Sequence, residues 1–251
     1  MKIITPEISV IIPVYKSHST LERAISSINN QLYDQDKIEI ILSVDDNSKY
    51  DHFKLLNKNI RILNPSGKLK TGAGKARNRG IKIARGKIIG FLDADDTWSP
   101  EKLEEQISFM KENDYKISHT SYLILNEKKK IIGQRKARDL LSINDIIKSC
   151  DVGLSTVIIE KKIIVENEIK FPELVTKEDF VFWLMLLKKN LKFYAYDKYL
   201  TNWTDLKNSL SSSTIQKLKD GFKVYNHYMK FGYIKSLYFL FCLSLNYLKK
   251  K

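Results

Sequence analysis

The sequence predicts an α/β fold, a mostly parallel central sheet with helices on both faces, followed by a C-terminal helical segment. Three observations carry this. Short β-branched apolar runs alternate with stretches whose apolar residues recur every three or four positions. Repeated units of that kind build parallel sheets covered by helices. A chain of 251 residues, 43% of them hydrophobic, suits one large domain or a domain with a helical appendage.

Ile8-Ser9-Val10-Ile11-Ile12 reads as the first strand, ended by Pro13. Residues 20–32 place Leu21, Ala24, Ile25, Ile28 and Leu32 at helical spacing, with Ser19 or Thr20 as the cap. Residues 39–44 give the second strand and residues 61–63 a short third. Residues 73–84 form a helix entered through Gly72 and closed by Gly86. Residues 87–92 are the fourth strand, and Ser99-Pro100-Glu101 opens the next helix with Ser99 as N-cap. Beyond it the reading is strand at 115–125, polar hairpin or loop at 127–130, helix at 141–149 and strand at 152–159. An amphipathic helix at 178–189 and a last strand at 191–196 follow. From residue 215 the chain turns helical and aromatic-rich. The Ser-rich stretch 209–213 is the candidate mobile loop.

Lysine plus arginine exceed aspartate plus glutamate by 14, which favours polyanionic partners such as phosphorylated small molecules, anionic lipid or nucleic acid. No zinc-ligand spacing, helix-turn-helix pattern or RNA-binding aromatic motif supports nucleic acid, so no nucleic-acid partner is expected. Two distant cysteines, Cys150 and Cys242, read as reduced thiols of a cytoplasmic protein. The N-terminal residues do not form a signal peptide. The longest apolar stretch, 233–248, is broken by Lys235, Ser236, Ser244 and Asn246, and falls short of the ~20 residues that span a bilayer.

The most informative run is Gly90-Phe91-Leu92-Asp93-Ala94-Asp95-Asp96. A buried strand that ends in acids places charge at the carboxyl edge of the sheet, where open α/β sheets bind ligands. Asp93 and Asp95 alternate by two and point the same way in an extended segment. Two hard oxygen ligands suit Mg²⁺ or Mn²⁺ shared with a substrate phosphate. The same acids would also suit a solvated strand end, with Asp96 capping the following turn. Asp45-Asp46-Asn47-Ser48 follows the second strand and reads either as a turn or as an acceptor for a base N–H, a task open to both acids. Gly72-Ala73-Gly74-Lys75-Ala76-Arg77 opens a helix with positive charge, which is an anion site or a flexible loop before a basic helix. Glu178 and Asp179 start a helix, where acids also serve the helix dipole.

Pro13-Val14-Tyr15, Val44-Asp45-Asp46-Asn47-Ser48, Gly72 to Asn78, Leu92 to Asp96 and Lys177-Glu178-Asp179 occur in an order that resembles family 2 glycosyltransferases of the GT-A fold. The resemblance runs from about Ile8 to Ser211. It implies a GT-A domain over residues 1–212, with a nucleotide-sugar half at 1–98 and an acceptor half at 99–212, and a basic aromatic extension at 213–251. It implies that Pro13 and Tyr15 line the base pocket and that Asp46 contacts the base. Lys75 or Arg77 would meet the diphosphate and Asp93 the ribose or sugar, with Asp95 as direct metal ligand and Asp93 beside it. Asp179 would be the general base, with Glu178 as the alternate. The implied reaction is inverting, metal-dependent transfer from a nucleotide-diphosphate sugar, UDP-linked, to a saccharide or polyprenyl-linked acceptor in bacterial surface polysaccharide assembly. The rival is a catalytically silent sugar-nucleotide-binding or scaffold module of the same fold. One departure is visible: the aromatic-Arg pair expected before the Ser-rich loop is Trp203-Thr204 here, leaving Lys207 to supply the charge. The C-terminal aromatic faces would dock peripherally at the inner face of the cytoplasmic membrane, pack on the core, or pair two copies as a homodimer.

Overall fold

A computed structural model describes residues 5–65, 67–206 and 213–248. Nine strands form one sheet: β1 (Ile8–Val14), β2 (Ile38–Val44), β3 (Ile60–Leu63), β4 (Ile88–Phe91), β5 (Thr97–Trp98), β6 (Ile117–Asn126), β7 (Ile131–Arg135), β8 (Ile158–Glu160) and β9 (Tyr194–Asp205). Their order is β3-β2-β1-β4-β8-β6-β9-β5, with β7 hairpinned to β6. The run β3-β2-β1-β4 is parallel, as the strand–helix alternation predicts. Beyond β4 the sheet is mixed: β8 is antiparallel to β4 and β6, while β6 and β9 run parallel.

β1, β2 and β4 are buried on both faces, which is why they read as largely apolar runs. Alternation sorts their side chains into two cores. Val10, Ile12, Ile40 and Leu42 pack under α1 (His18–Asn29) and α3 (Lys102–Glu112). Ile11, Ile41, Ile89 and Phe91 pack under α2 (Ala73–Ile83), α4 (Lys161–Glu166) and α5 (Glu178–Lys188). One carboxylate interrupts the second core. Glu39 is 1% exposed, and it is matched by Ser9 Oγ at 2.5 Å, Arg61 at 2.6 Å and Arg85 Nε at 2.7 Å.

Several boundaries move. Pro13 does not end β1, which continues to Val14. Val14 C=O faces β2 and accepts from Asp45, whereas Ile11 C=O faces β4 and accepts from Leu92. Pro13 therefore turns its missing donor to the β4 side, beyond Ile11, the last residue paired there. α1 begins at His18, and Ser17 caps it with its carbonyl, so neither Ser19 nor Thr20 is the cap. Ala84 ends α2, and Gly86 lies past it against β1, where an added Cβ would stand 2.6 Å from Ser9 N. α3 starts at Lys102, a turn after Ser99, with Glu101 as its N-cap. Residues 141–149 hold only a 3-10 turn at Ile143–Asp145 rather than a helix. Residues 152–159 are a 3-10 turn, Leu154–Thr156, leading into β8. The last strand starts later than predicted, at Tyr194, and extends to Asp205 by pairing with β6 and β5.

The C-terminal segment folds as α6 (Thr214–Lys223), a π turn at Val224–Tyr228, and α7 (Tyr233–Leu248). It packs on the second core through Val224, Tyr225, Met229 and Leu243. Tyr225 Oη donates to Ile147 C=O at 2.7 Å. Among the described residues no helix is long and apolar enough to cross a membrane.

Candidate active site

β1, β2 and β4 run parallel, so their carboxyl ends share one edge of the sheet. Pro13 and Tyr15, Asp45 and Asp46, and Asp93 to Asp96 therefore come together at that edge. Asp46 accepts the Lys16 and Ser48 N–H groups and the Tyr50 hydroxyl at 3.0 Å. Burial works against its charge, but these donors outweigh it and hold the carboxyl below the usual range. A carboxylate offers about four acceptor directions. The Ser48 hydroxyl is a further donor, so these directions are taken up within the loops that follow β1 and β2. Asp45 does a different task. It is buried and accepts Thr71 Oγ1 at 2.6 Å, Gly72 N–H at 2.8 Å and Arg79 at 3.1 Å. That ties the end of β2 to the entry of α2, where Gly72 has φ +93°, a region that favours glycine.

α2 then carries Arg77 into the centre of the site. Its guanidinium is 4% exposed and bridges Asp93 Oδ1 at 2.7 Å and Glu178 Oε1 at 2.8 Å, lying over the Phe171 ring. Gly74 makes this approach feasible, since a Cβ there would stand 2.8 Å from Pro172 C=O and 3.3 Å from Glu178 Cγ. Its smallness lets α2 pack against the Phe171–Pro172 segment and the start of α5. Lys75, two residues earlier, stands apart from this network and pairs with Glu173 at 2.8 Å on the surface.

Asp93 to Asp96 form a turn, closed by Asp96 N–H on Asp93 C=O. The Asp96 side chain does not cap that turn. It is buried, accepting Ser155 Oγ at 2.5 Å and Thr204 N–H at 2.9 Å, and burial with the adjacent acids pushes its pKa well up. Ser155 Oγ also accepts from Asp93 N–H at 3.0 Å, and Arg23 and Thr204 Oγ1 hold Asp95 C=O at 2.5 and 2.6 Å. The acidic turn is thereby fixed to β9 and to the loop before β8. Burial and the Asp93 charge push Asp95 up to about 6. Arg23, Ser155 and Thr204 carry no motif of their own. Their partners lie 59 to 109 positions away, so only the fold reveals them.

α5 starts at Glu178 after Lys177, which adopts φ +68°, a conformation uncommon outside glycine. Burial raises Glu178 to about 7 against the pull of Arg77. Burial also raises Asp179, whose Oδ1 accepts the Phe180 N–H at 2.7 Å and which is not bound by Arg77. The structure thus gathers Asp93, Arg77, Glu178 and Asp179 beside Asp46 and Asp95. Lys207 and the Ser-rich residues 209–212 lie outside the described residues.

Residues 9–159 match the family model of glycosyl transferase family 2. The chain belongs to that family. It is 32% identical over 243 residues to UDP-Glc:alpha-D-GlcNAc-diphosphoundecaprenol beta-1,3-glucosyltransferase WfgD of Escherichia coli, across 96% of this chain and 92% of that protein. It is 26% identical over 250 residues to the putative teichuronic acid biosynthesis glycosyltransferase TuaG of Bacillus subtilis, across 98% of each. S. aureus TarS 1-349 in complex with UDP-GlcNAc superposes with a TM-score of 0.72 at 21% identity, over 93% of this chain and 70% of that one. That likeness is one of fold, the GT-A architecture. This family 2 member is therefore a glycosyltransferase, related to enzymes of bacterial surface polysaccharide synthesis.

Proposed function

We propose that this enzyme transfers a sugar from a UDP-sugar, with inversion, to a saccharide carried on a lipid diphosphate. One observation carries the reading: the Arg77 guanidinium joins Asp93 at the strand edge to Glu178 at the start of α5. By this proposal the donor acid and the acceptor acids work on either side of that guanidinium. In this reading residues 1–98 serve the donor and 99–212 the acceptor. The E. coli relative, a UDP-Glc:alpha-D-GlcNAc-diphosphoundecaprenol glucosyltransferase, and the complex of TarS with UDP-GlcNAc support the donor and acceptor classes.

Tyr15 and Pro13 would flank the base, and Asp46, held ionised by its loop donors, would accept the uracil imide N–H. A base lacking that donor would forgo the contact, which selects against it. Arg77 Nε is buried without a hydrogen-bond partner among the described residues, a donor left over for the incoming nucleotide sugar. Lys75 reaches the diphosphate by leaving Glu173, a surface pair that holds weakly.

Asp93 and Asp95 fit a divalent cation, Mn²⁺ or Mg²⁺. Both offer hard oxygen, and the burial and Asp93 charge that lift Asp95 weigh against its ionised form, which a cation would favour. Among the described residues no cluster of three such ligands occurs, so phosphate oxygens would complete the shell. When bound, the ion supplies charge neutralisation for the departing nucleoside diphosphate. Asp179 takes the proton of the acceptor hydroxyl as that oxygen bonds the anomeric carbon. The bond to the diphosphate breaks on the opposite face, so the configuration inverts.

A thermal-shift panel of nucleotide sugars with Mn²⁺ or with chelator tests the donor and the metal together. Metal-dependent stabilisation by a UDP-sugar is expected, and Asp95→Asn should abolish its metal dependence. Unchanged metal-dependent stabilisation of Asp95→Asn would remove Asp95 as ligand.

The pH profile offers a second test. A base must be ionised to act, and burial lifts both Glu178 and Asp179. The two titrate as a pair. The acid limb of kcat/KM is therefore expected above the ordinary carboxylate range, with activity lost as pH falls through it. Glu178→Gln removes a neighbouring negative charge and frees Arg77 to favour ionised Asp179, so the limb should move to lower pH. A limb that stays in place would exclude this pair as its source.

A further inference from the structure

α7 packs by one side only. Ser236 and Leu243 are buried, and Phe239 and Leu240 pack against the second core. The opposite side holds Ile234, Leu237, Tyr238, Phe241, Leu245 and Leu248, all exposed, with Ile234 84% and Phe241 62% open. At 3.6 residues per turn these six fall within an arc of about 100°, one continuous apolar stripe. The helix has 16 residues, about 24 Å long, against a hydrocarbon core of about 30 Å. It is too short to cross a bilayer, and its length suits lying along one.

Charge names the occupant. From residue 213 to the end the sequence has eight lysines and one acid, Asp220. Asp220 is 1% exposed and turned inward. Lys235 begins the helix, Lys249-Lys250-Lys251 follows it in sequence, and Lys148 lies over the Tyr238 ring at 5.8 Å. An apolar stripe flanked by lysines with no exposed acid in its own segment complements an anionic leaflet. A second copy would bring the same lysines face to face across an isologous contact. The inward side reaches the catalytic region directly. Asp220 accepts Thr176 N–H at 3.0 Å and Thr176 Oγ1 at 3.1 Å, and Thr176 lies two positions before Glu178.

We infer that the exposed stripe of α7 lies in the interface of an anionic membrane leaflet and, through α6 and the Asp220–Thr176 contact, holds the acceptor side of the cleft next to that surface. This rests on the glycosyltransferase reading for its purpose, but its binding test does not.

The full chain is floated with vesicles of equal parts phosphatidylglycerol and phosphatidylcholine, and with phosphatidylcholine alone. Flotation with the anionic vesicles is expected, falling at least tenfold with the neutral ones. Ile234→Glu with Phe241→Glu should lower flotation at least tenfold while stabilisation by UDP with Mn²⁺ matches the parent, which shows that the core is intact. A second variant, Lys249, Lys250 and Lys251 all changed to Gln, should weaken flotation and make it less sensitive to salt. A parent that binds UDP and stays in the unfloated fraction overturns this inference alone. A parent that floats but responds to no nucleotide sugar overturns the proposed function alone. A parent of dimeric mass by light scattering that the double Glu variant turns monomeric assigns the stripe to a second copy instead.

Discussion

Asp179→Asn is expected to lower kcat by a factor of about a hundred or more while leaving UDP-sugar binding and stability close to the parent. The two acids at the start of α5 differ in how they are held. Glu178 Oε1 is engaged by Arg77 at 2.8 Å, and its side chain is 12% exposed. Taking a proton there would weaken a buried ion pair in the transition state. Asp179 is bound by its own backbone, through Phe180 N–H, and stands clear of Arg77. Asparagine keeps the shape and that hydrogen bond but cannot take the acceptor proton. On the proposed reading the donor contacts lie on the Asp93 side of the Arg77 bridge, so the donor KM should hold. Steady-state kinetics against a saccharide acceptor, with a thermal shift for UDP, separate the two effects. Full activity in Asp179→Asn, with loss in Glu178→Gln, would transfer the base to Glu178. Loss of UDP binding in Asp179→Asn would mean that it serves the donor.

How much of this was readable in advance depends on the range of each interaction. β1, β2 and β4 declared themselves because burial on both faces favours apolar residues at most positions. The acids that follow them stood out because nothing in a core explains them. α5 was legible for the same reason, with Phe180, Val181, Trp183, Leu184 and Leu187 all buried. The second half was harder. β9 runs to Asp205 by pairing with β6 and β5, and no local alternation marks Lys198 to Asp205 as strand. Residues 141–149 have apolar residues at helical spacing. Yet Leu140 bridges Phe193, the Asp145 carboxylate gathers the Leu141 and Ser142 N–H groups, and Tyr225 takes the Ile147 carbonyl. Tertiary partners there outweigh propensity. In the site, sequence order was enough to nominate Asp93, Asp179 and Arg77. It could not show that Arg77 binds Asp93 and Glu178, that Lys75 faces Glu173, or that Asp96 looks inward to Ser155 and Thr204. Each of those facts is a contact between elements far apart in the chain.

Arg77→Leu should be the most destabilising change at the site, by about 3–5 kcal/mol, the range for removing one partner of a buried ion pair. The guanidinium is nearly buried and answers two carboxylates at once. Leucine would fill much of the space over Phe171 but leave Asp93 and Glu178 without their cation. Glu178 would then be lifted in the folded state beyond the value of about 7 that it holds with Arg77 present. A carboxyl whose folded pKa lies above its unfolded one binds more protons when folded. It costs nothing at low pH and destabilises as pH rises through the folded value. The gap between Arg77→Leu and the parent should therefore be widest above neutrality and narrow as pH is lowered, read by chemical denaturation at several pH values. Arg77→Lys should recover little, because a point charge on a flexible stem cannot serve two acids as a planar fork does. Adding Glu178→Gln to Arg77→Leu removes one orphaned charge and should restore part of the loss. The cycle built from the single and double variants then measures the coupling directly. Purely additive changes would show that Arg77 and Glu178 do not act as a unit. In that case the bridge between donor and acceptor acids would be a contact without energetic weight.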